Sequence, residues 1–284
     1  DDNLSENLFN NFKKKDELNI LVIPGGSLNF FPLELLLFQY DSDTTEYHFL
    51  GDIANITYAP SLSSYVQFQQ KKKESKEIKN ALLLSANPNI ESTSTYIENL
   101  LTFRSEYGNI EFVDNEINFI DRTLSRAQLF KERIKTDVFN SESVTENKFK
   151  SRDLSNYKII HLASHGVHDP ENPKYSGILL GNNEGDKEDG ILQAHEIFPL
   201  KLNADLVTLS SCFSGIGEID PYEGNLGIYR SFLVAGAKSI IISLWNVEDR
   251  STSILFSKFY ENLMDGKSKT ESLRNAKLYL IKET

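Results

Sequence analysis

Short apolar runs recur along this chain at Leu18–Pro24, Ile53–Tyr58, Asn80–Ser85, Tyr157–Ala163, Asp205–Leu209 and Lys238–Trp245, with amphipathic or polar segments between them. Each run has strand length rather than helix length, and most carry few polar residues. That pattern suits strands buried on both faces. Strands separated by helices imply a mostly parallel sheet covered by helices on each side, a three-layer α/β/α sandwich.

The intervening segments support this reading. Leu18–Pro24 stops at Pro24-Gly25-Gly26, and Pro60 ends Ile53–Tyr58. Leu33–Phe38 and Leu62 to Lys73 read as helical, Asn89–Thr95 as a loop, and Tyr96–Leu124 carries mixed helical signals. Gly177–Leu180 and Gly190–Leu192 flank the polar Asn182–Asp189 and suggest a hairpin. Leu226–Ala235 is a helix stopped by Gly236. Ser251–Met264 is another, with Asp249 or Ser251 as N-cap and Gly266 as terminator, and Lys269–Lys282 is the last. A polar stretch near residues 140–152 marks a soft boundary between residues 1–150, which support the sheet, and residues 151–284, which carry the reactive groups.

Composition narrows the function. With 284 residues and 39% hydrophobic content the chain can bury a sizeable core. A net charge of −11 argues against nucleic acid or an anionic membrane surface as the main partner. The run Lys71–Lys73 is interrupted by Glu74 and reads as a solvated helix face. A single cysteine excludes an intrachain disulfide and fits a reducing compartment, hence the cytoplasm. No run approaches the roughly 20 apolar residues of a membrane span. Asp1–Asn11 is too polar for a secretory signal.

Two of the apolar runs end in reactive side chains. Tyr157–Ala163 delivers Ser164-His165-Gly166, and Asp205–Leu209 delivers Ser210-Ser211-Cys212. Parallel sheets collect functional groups at the carboxyl ends of their strands. If the two strands are neighbours, His165 and Cys212 face each other. A cysteine attacks as thiolate, and a nearby imidazole favours that form. The oxyanion formed from the attacked carbonyl needs fixed N–H donors. Gly166 and the Cys212 backbone N–H are the candidates. A lone cysteine after an apolar strand is ordinarily an inert core residue, and the paired strand-end placement is what argues otherwise.

Other constellations read more simply. His161, His165, His168 and Asp169 are close together, but the His-Glu-x-x-His helix of a zinc protease is missing, since Leu162 stands where the Glu would be. His161 is therefore expected to be a core or supporting residue. Asn182–Asp189 lacks the ligand alternation of a calcium loop. Glu218, Asp220 and Glu223 read as an exposed acidic loop, and Pro24-Gly25-Gly26 lacks the Lys-Ser/Thr of a phosphate loop. Trp245 is either core or a wall of a substrate groove.

An ordered set of motifs carries a family resemblance. It comprises His161–Gly166 (HLASHG), Gly190–Ile197 (GILQAHEI), Asn203–Cys212 (NADLVTLSSC) with Ser214-Gly215, Glu223-Gly224, Arg230–Ala237 (RSFLVAGA) and Ser243–Asp249 (SLWNVED). Earlier, Val22–Gly26, Phe31–Glu34 and Tyr58–Ser61 extend it to the first part of the chain. In these the chain resembles the CHAT family, caspase-like cysteine peptidases often fused to tetratricopeptide repeats. The His lies roughly 50 residues before the Cys, as in the caspase signature.

The resemblance implies a caspase-like fold and a catalytic dyad of His165 and Cys212. No cofactor and no metal are expected. The resemblance puts Ser210, Ser243 and Trp245 beside the substrate, with Trp245 in the groove. It further implies limited proteolysis of a protein partner in bacterial defence or programmed death, for example a gasdermin-like pore former, under a regulatory domain or sensor partner outside this chain. Relatives that cut after Arg or Lys place an Asp two residues before the nucleophile, where this chain has Ser210. Relatives that cut after Asp use an Arg on the strand matching Ile240–Trp245, and none stands there. A neutral residue before the cut follows. Phe213 departs from the polar residue usual in the family. The chain also stops at Thr284, short of a usual aromatic segment, as a piece of a longer protein would. The alternative is a catalytically silent CHAT-fold interaction module.

Overall fold

The computed structural model describes residues 18–41, 46–74, 80–87, 112–126, 134–140, 144–167, 169, 172–181, 187–211, 219–220, 224–225, 228–245 and 247–283. Cys212, His168, Phe213, Glu218 and Glu223 lie outside them, as do Asn89–Thr95 and most of the Asn182–Asp189 loop.

The chain opens with β1 (Leu18–Val22), β2 (Leu37–Asp41), β3 (Glu46–Phe49), helix α1 (Leu50–Ile53) and β4 (Ala54–Tyr58). β1 and β4 pair in parallel, and β2 and β3 form an antiparallel hairpin. Two expectations change here. β1 alternates half-buried and exposed residues instead of being buried on both faces, because among the described residues it pairs only within this two-stranded unit. Leu33–Phe38 is not a helix. One 3-10 turn spans Leu33–Leu35, and the chain then extends into β2.

Helix α2 (Leu62–Glu74) is followed by β5 (Asn80–Ser85), α3 (Val113–Arg126), β6 (Lys135–Asn140), α4 (Glu146–Lys150) and β7 (Tyr157–Ala163). Next come β8 (Gly166–Val167), β9 (Gly177–Leu179), β10 (Ile191–Gln193), α5 (Ala194–Ile197) and β11 (Leu206–Ser210). β12 (Ile219–Asp220) and β13 (Gly224–Asn225) form a small antiparallel pair. Helix α6 (Ile228–Ala235), β14 (Ile240–Ile241), α7 (Asp249–Met264) and α8 (Lys269–Glu283) complete the chain.

Five strands form the central parallel sheet in the order β14-β11-β7-β5-β6. Side chains alternate between its faces, as any strand requires. Leu82, Leu84, Ile160, Leu162, Val207 and Leu209 meet Phe149 of α4, Ile197 of α5 and Phe232 of α6. Ala81, Leu83, Ile159, Ala163 and Leu206 meet Ile117, Ile120 and Leu124 of α3 and Phe256, Phe259 and Tyr260 of α7. Both faces are apolar, so neither can be left to water. This is the three-layer α/β/α arrangement.

α3 shows why the second face closes. Val113, Ile117, Ile120 and Leu124 recur at helical spacing and form one buried stripe. α6 ends in a Schellman turn, in which Ala237 N donates to Phe232 O at 2.9 Å and Gly236 N to Leu233 O at 3.2 Å. Gly236 takes φ 119°, and a Cβ there would lie 2.3 Å from Leu202 O, so only glycine fits.

The apolar run Lys238–Trp245 yields only a short strand. Its ladder to β11 spans Val207↔Ile240 and Thr208↔Ile241, and residues 238–244 are half-buried because β14 is an edge strand. The N-cap of α7 is neither Asp249 nor Ser251. The carboxylate of Glu248 accepts from Ser251 N at 2.8 Å. The polar stretch near residues 140–152 contains α4, capped by Thr145 Oγ1, which accepts from Lys148 N at 3.3 Å. Strands from both sides of that stretch stand in the same sheet.

Candidate active site

β7 and β11 are adjacent and parallel, in the register Leu206↔Ile159 through Ser210↔Ala163. Their carboxyl ends therefore leave the sheet side by side. Ser164 N donates to Ser210 O at 3.1 Å, which carries the ladder one step beyond the strands.

His165 is fixed from both sides along the chain. Before it, the buried Ser164 donates its hydroxyl to Leu179 O. After it, Gly166 pairs with Ile178 in the antiparallel sheet of β8, β9 and β10. Its own carbonyl accepts from Leu179 N at 2.9 Å. The hairpin expected from Gly177–Leu180 and Gly190–Leu192 is this β9–β10 pair, and its place in the fold is beside His165. The imidazole residue is half-buried.

On β11, Ser210 and Ser211 are buried, and Cys212 follows outside the described residues. The Ser210 hydroxyl turns to the α3 face and donates to Glu116 Oε2 at 3.2 Å. Ser243 is half-buried, and Trp245 is 49% exposed, outside both core clusters. Both follow β14 at the same end of the sheet. Two helices also begin there. Asp249, the first residue of α7, accepts from Phe112 N at 2.8 Å just ahead of α3, and Asp114 in the first turn of α3 accepts from the Ser85 hydroxyl at the end of β5.

Beneath this edge lies a buried polar network. His161 sits mid-sheet, opposite Thr208 on one side and Leu83 on the other, with no exposure. Its Nε2 lies 2.6 Å from Glu116 Oε1, and its Nδ1 lies 3.2 Å from the Tyr260 hydroxyl, which is 3.2 Å from Thr208 Oγ1. Burial pushes the Tyr260 hydroxyl above its ordinary range, against the Thr208 hydrogen bond and with the Glu116 charge, so it keeps its proton. His161 thus takes the supporting role. Sequence reading missed Glu116. The available signal was a single carboxylate inside the apolar stripe of α3, three residues after Val113 and one before Ile117.

A second charged group lies by the β9–β10 hairpin. The carboxylates of Glu146, Glu188 and Glu196 come within 4.8 Å of one another, and the Lys150 ammonium bonds all three, at 2.8 Å from Glu188 and 2.5 Å from Glu196. Lys150 already supplies the cation there. Burial pushes Glu146 up to about 8, against the hydrogen bond from Lys150 and with added repulsion from Glu196. Glu196, although burial opposes its charge, is held below the usual carboxylate range by hydrogen bonds from Lys150 and the Gln193 N–H.

The family model of the CHAT domain matches residues 3–284. This chain belongs to the CHAT domain family. Among curated relatives of this CHAT chain, tetratricopeptide repeat protein 28 of Mus musculus is 31% identical over 86 residues, and its Homo sapiens counterpart is 29% identical over 86 residues. Those matches cover 30% of this chain but only 4% and 3% of the two relatives, so the chain spans a small fraction of their length.

Among solved structures, the Arg-specific cysteine proteinase gingipain R (RGPB) superposes with a TM-score of 0.59 at 10% identity, covering 99% of this chain and 62% of that one. The complex of Porphyromonas gingivalis RgpB pro- and mature domains gives 0.55 at 11% identity, covering 98% and 63%. At these identities the likeness is one of fold, and the fold is caspase-like. Among the described residues, no helix of this CHAT domain is long and apolar enough to cross a membrane.

Proposed function

We propose that this CHAT domain is a cysteine endopeptidase with Cys212 as nucleophile and His165 as general base. The observation that carries the reading is the pairing of Ala163 with Ser210, which brings the chain ends that lead to His165 and to Cys212 out of neighbouring strands. Membership in the CHAT family and the caspase-like fold support it.

The chemistry follows from the residue types. His165 takes the thiol proton, and the thiolate attacks the peptide carbonyl. The backbone N–H groups of Gly166 and Cys212 hold the oxyanion. Collapse breaks the C–N bond, and the imidazolium gives its proton to the leaving amine. Water, deprotonated by His165, then attacks the thioester and releases the acid and the free thiol. No cofactor or metal enters these steps.

The substrate is a protein cut at limited positions, in bacterial defence or programmed cell death and within the cytoplasm. A gasdermin-like pore former is one such target, with a regulatory domain or sensor outside this chain controlling access. Ser210, Ser243 and Trp245 lie beside the substrate in this reading, Ser210 with its hydroxyl turned to Glu116 and Trp245 as a groove wall. The test is a peptide library incubated with the purified chain. Cleavage blocked by thiol alkylation but not by chelators is expected. No cleavage, together with a Cys212 thiol no more reactive than free cysteine, would instead make the chain a catalytically silent interaction module.

A further inference from the structure

The network under the sheet edge reaches the nucleophile's strand at one point. Glu116 uses one carboxylate oxygen to meet His161 at 2.6 Å and the other to accept from Ser210 at 3.2 Å. Both partners and Glu116 itself are buried, at 0%, 7% and 1% exposure. With a proton on Nε2, the ring N–H and the Ser210 hydroxyl converge on one carboxylate.

Such a pair is costly to bury and gives little net stability over an apolar replacement. Its position suggests what it does instead. Glu116 is anchored in the first turn of α3, and α3 is bound to the sheet along its whole apolar stripe. Ser210 is the last residue of β11, two before Cys212.

We propose that Glu116, oriented by His161, is a positioning residue that holds Ser210 and thereby fixes where the chain leaves β11 toward the Cys212 thiol. The inference rests on the reading that Cys212 is the nucleophile. Glu116 touches no substrate in this arrangement and acts only through Ser210. Small displacements of a reacting group cost large factors in rate, so losing the link lowers turnover rather than substrate affinity.

The experiment compares wild type with Ser210→Ala, Ser210→Thr and Glu116→Gln, using the purified chain. Two quantities are read: the second-order rate of Cys212 alkylation by iodoacetamide across pH, and kcat and KM on a cleaved peptide. Iodoacetamide has no side chain to fit a specificity pocket, so a mere pocket role for Ser210 leaves the alkylation rate unchanged. Ser210→Ala and Glu116→Gln are each expected to lower the alkylation rate and kcat by roughly 10–100-fold with KM near wild type. Their combination is expected to be no worse than either alone, and Ser210→Thr to restore the rate by keeping the hydroxyl. If Glu116→Gln unfolds, Ser210→Ala still decides, because it leaves the Glu116–His161 pair intact. A fast wild-type thiol whose rate is unchanged in Ser210→Ala overturns the positioning role and leaves the dyad standing. A wild-type thiol no faster than free cysteine overturns both.

Discussion

Ala163 and Ser210 face each other in register across the adjacent inner strands β7 and β11, and each precedes by two residues a member of the proposed dyad. Equal lengths of chain thus run from a common hydrogen-bonded level to the general base and to the nucleophile. On the base side, the Leu179 N–H bond to the His165 carbonyl and the Ser164 hydroxyl bond to Leu179 O hold the backbone in place.

Cys212→Ala and His165→Ala are each expected to reduce peptide cleavage by at least about 10³-fold, and the double variant no further, because the two act as one unit. Circular dichroism and thermal melts should match wild type. Turnover near wild type in either single variant excludes the dyad.

The buried pair of Glu116 and His161 makes truncation expensive. Glu116→Ala leaves His161 and Ser210 without their acceptor in a dry layer between sheet and helices. A loss of about 3–5 kcal/mol is expected from urea unfolding. Replacing the half-buried Glu261, which is ion-paired to Lys258 at 2.8 Å, by Ala should cost less than about 1 kcal/mol. Equal costs for the two substitutions would show that burial of the His161 pair is not the source.

Glu146 makes stability depend on pH. Its ordinary value is 4.5, and burial raises it to about 8 in the folded chain. Between those limits the folded state holds a proton that the unfolded state has lost, so this group's contribution is full below 4.5, declines as pH rises, and is gone above about 8. Glu146→Gln cannot ionise and should flatten that decline, by up to about 1.4 kcal/mol per pH unit. Urea midpoints of the two proteins from pH 5 to about 9 are the measurement. Parallel curves would rule Glu146 out as the titrating group.

A neutral residue, such as Leu or Met, is expected before the scissile bond. Ser210 carries no charge, and the Glu116 carboxylate behind it is occupied by His161 and Ser210. No basic residue lies among Ser243, Leu244 and Trp245. An ionic side chain entering such a site would lose several kcal/mol of hydration without a counter-charge. Matched fluorogenic peptides ending in Leu, Arg or Asp decide this, and a clear preference for Arg or Asp refutes it.

The α/β/α class was legible in the sequence because strands buried on two faces are mostly apolar, as Asn80–Ser85 and Tyr157–Ala163 are, with bounds that the structure reproduces. His165 was legible as a strand-end residue for the same reason. Lys135–Asn140 was not, since among the described residues this edge strand pairs only with β5 and needs no continuous apolar run. Nor was the exposed alternation of β1, which depends on which strand it pairs with. Glu116 is the sharpest case. By sequence it is an acid within the apolar stripe of a helix, a place that marks it for burial but does not name its partners. Only the packing of α3 across β7 and β11 brings it to His161 and Ser210, residues 45 and 94 positions away. Local propensity and periodicity are written along the chain, whereas the partner of a buried charge is set by contacts between elements remote in sequence, and those exist only once the sheet and its helices have closed on one another.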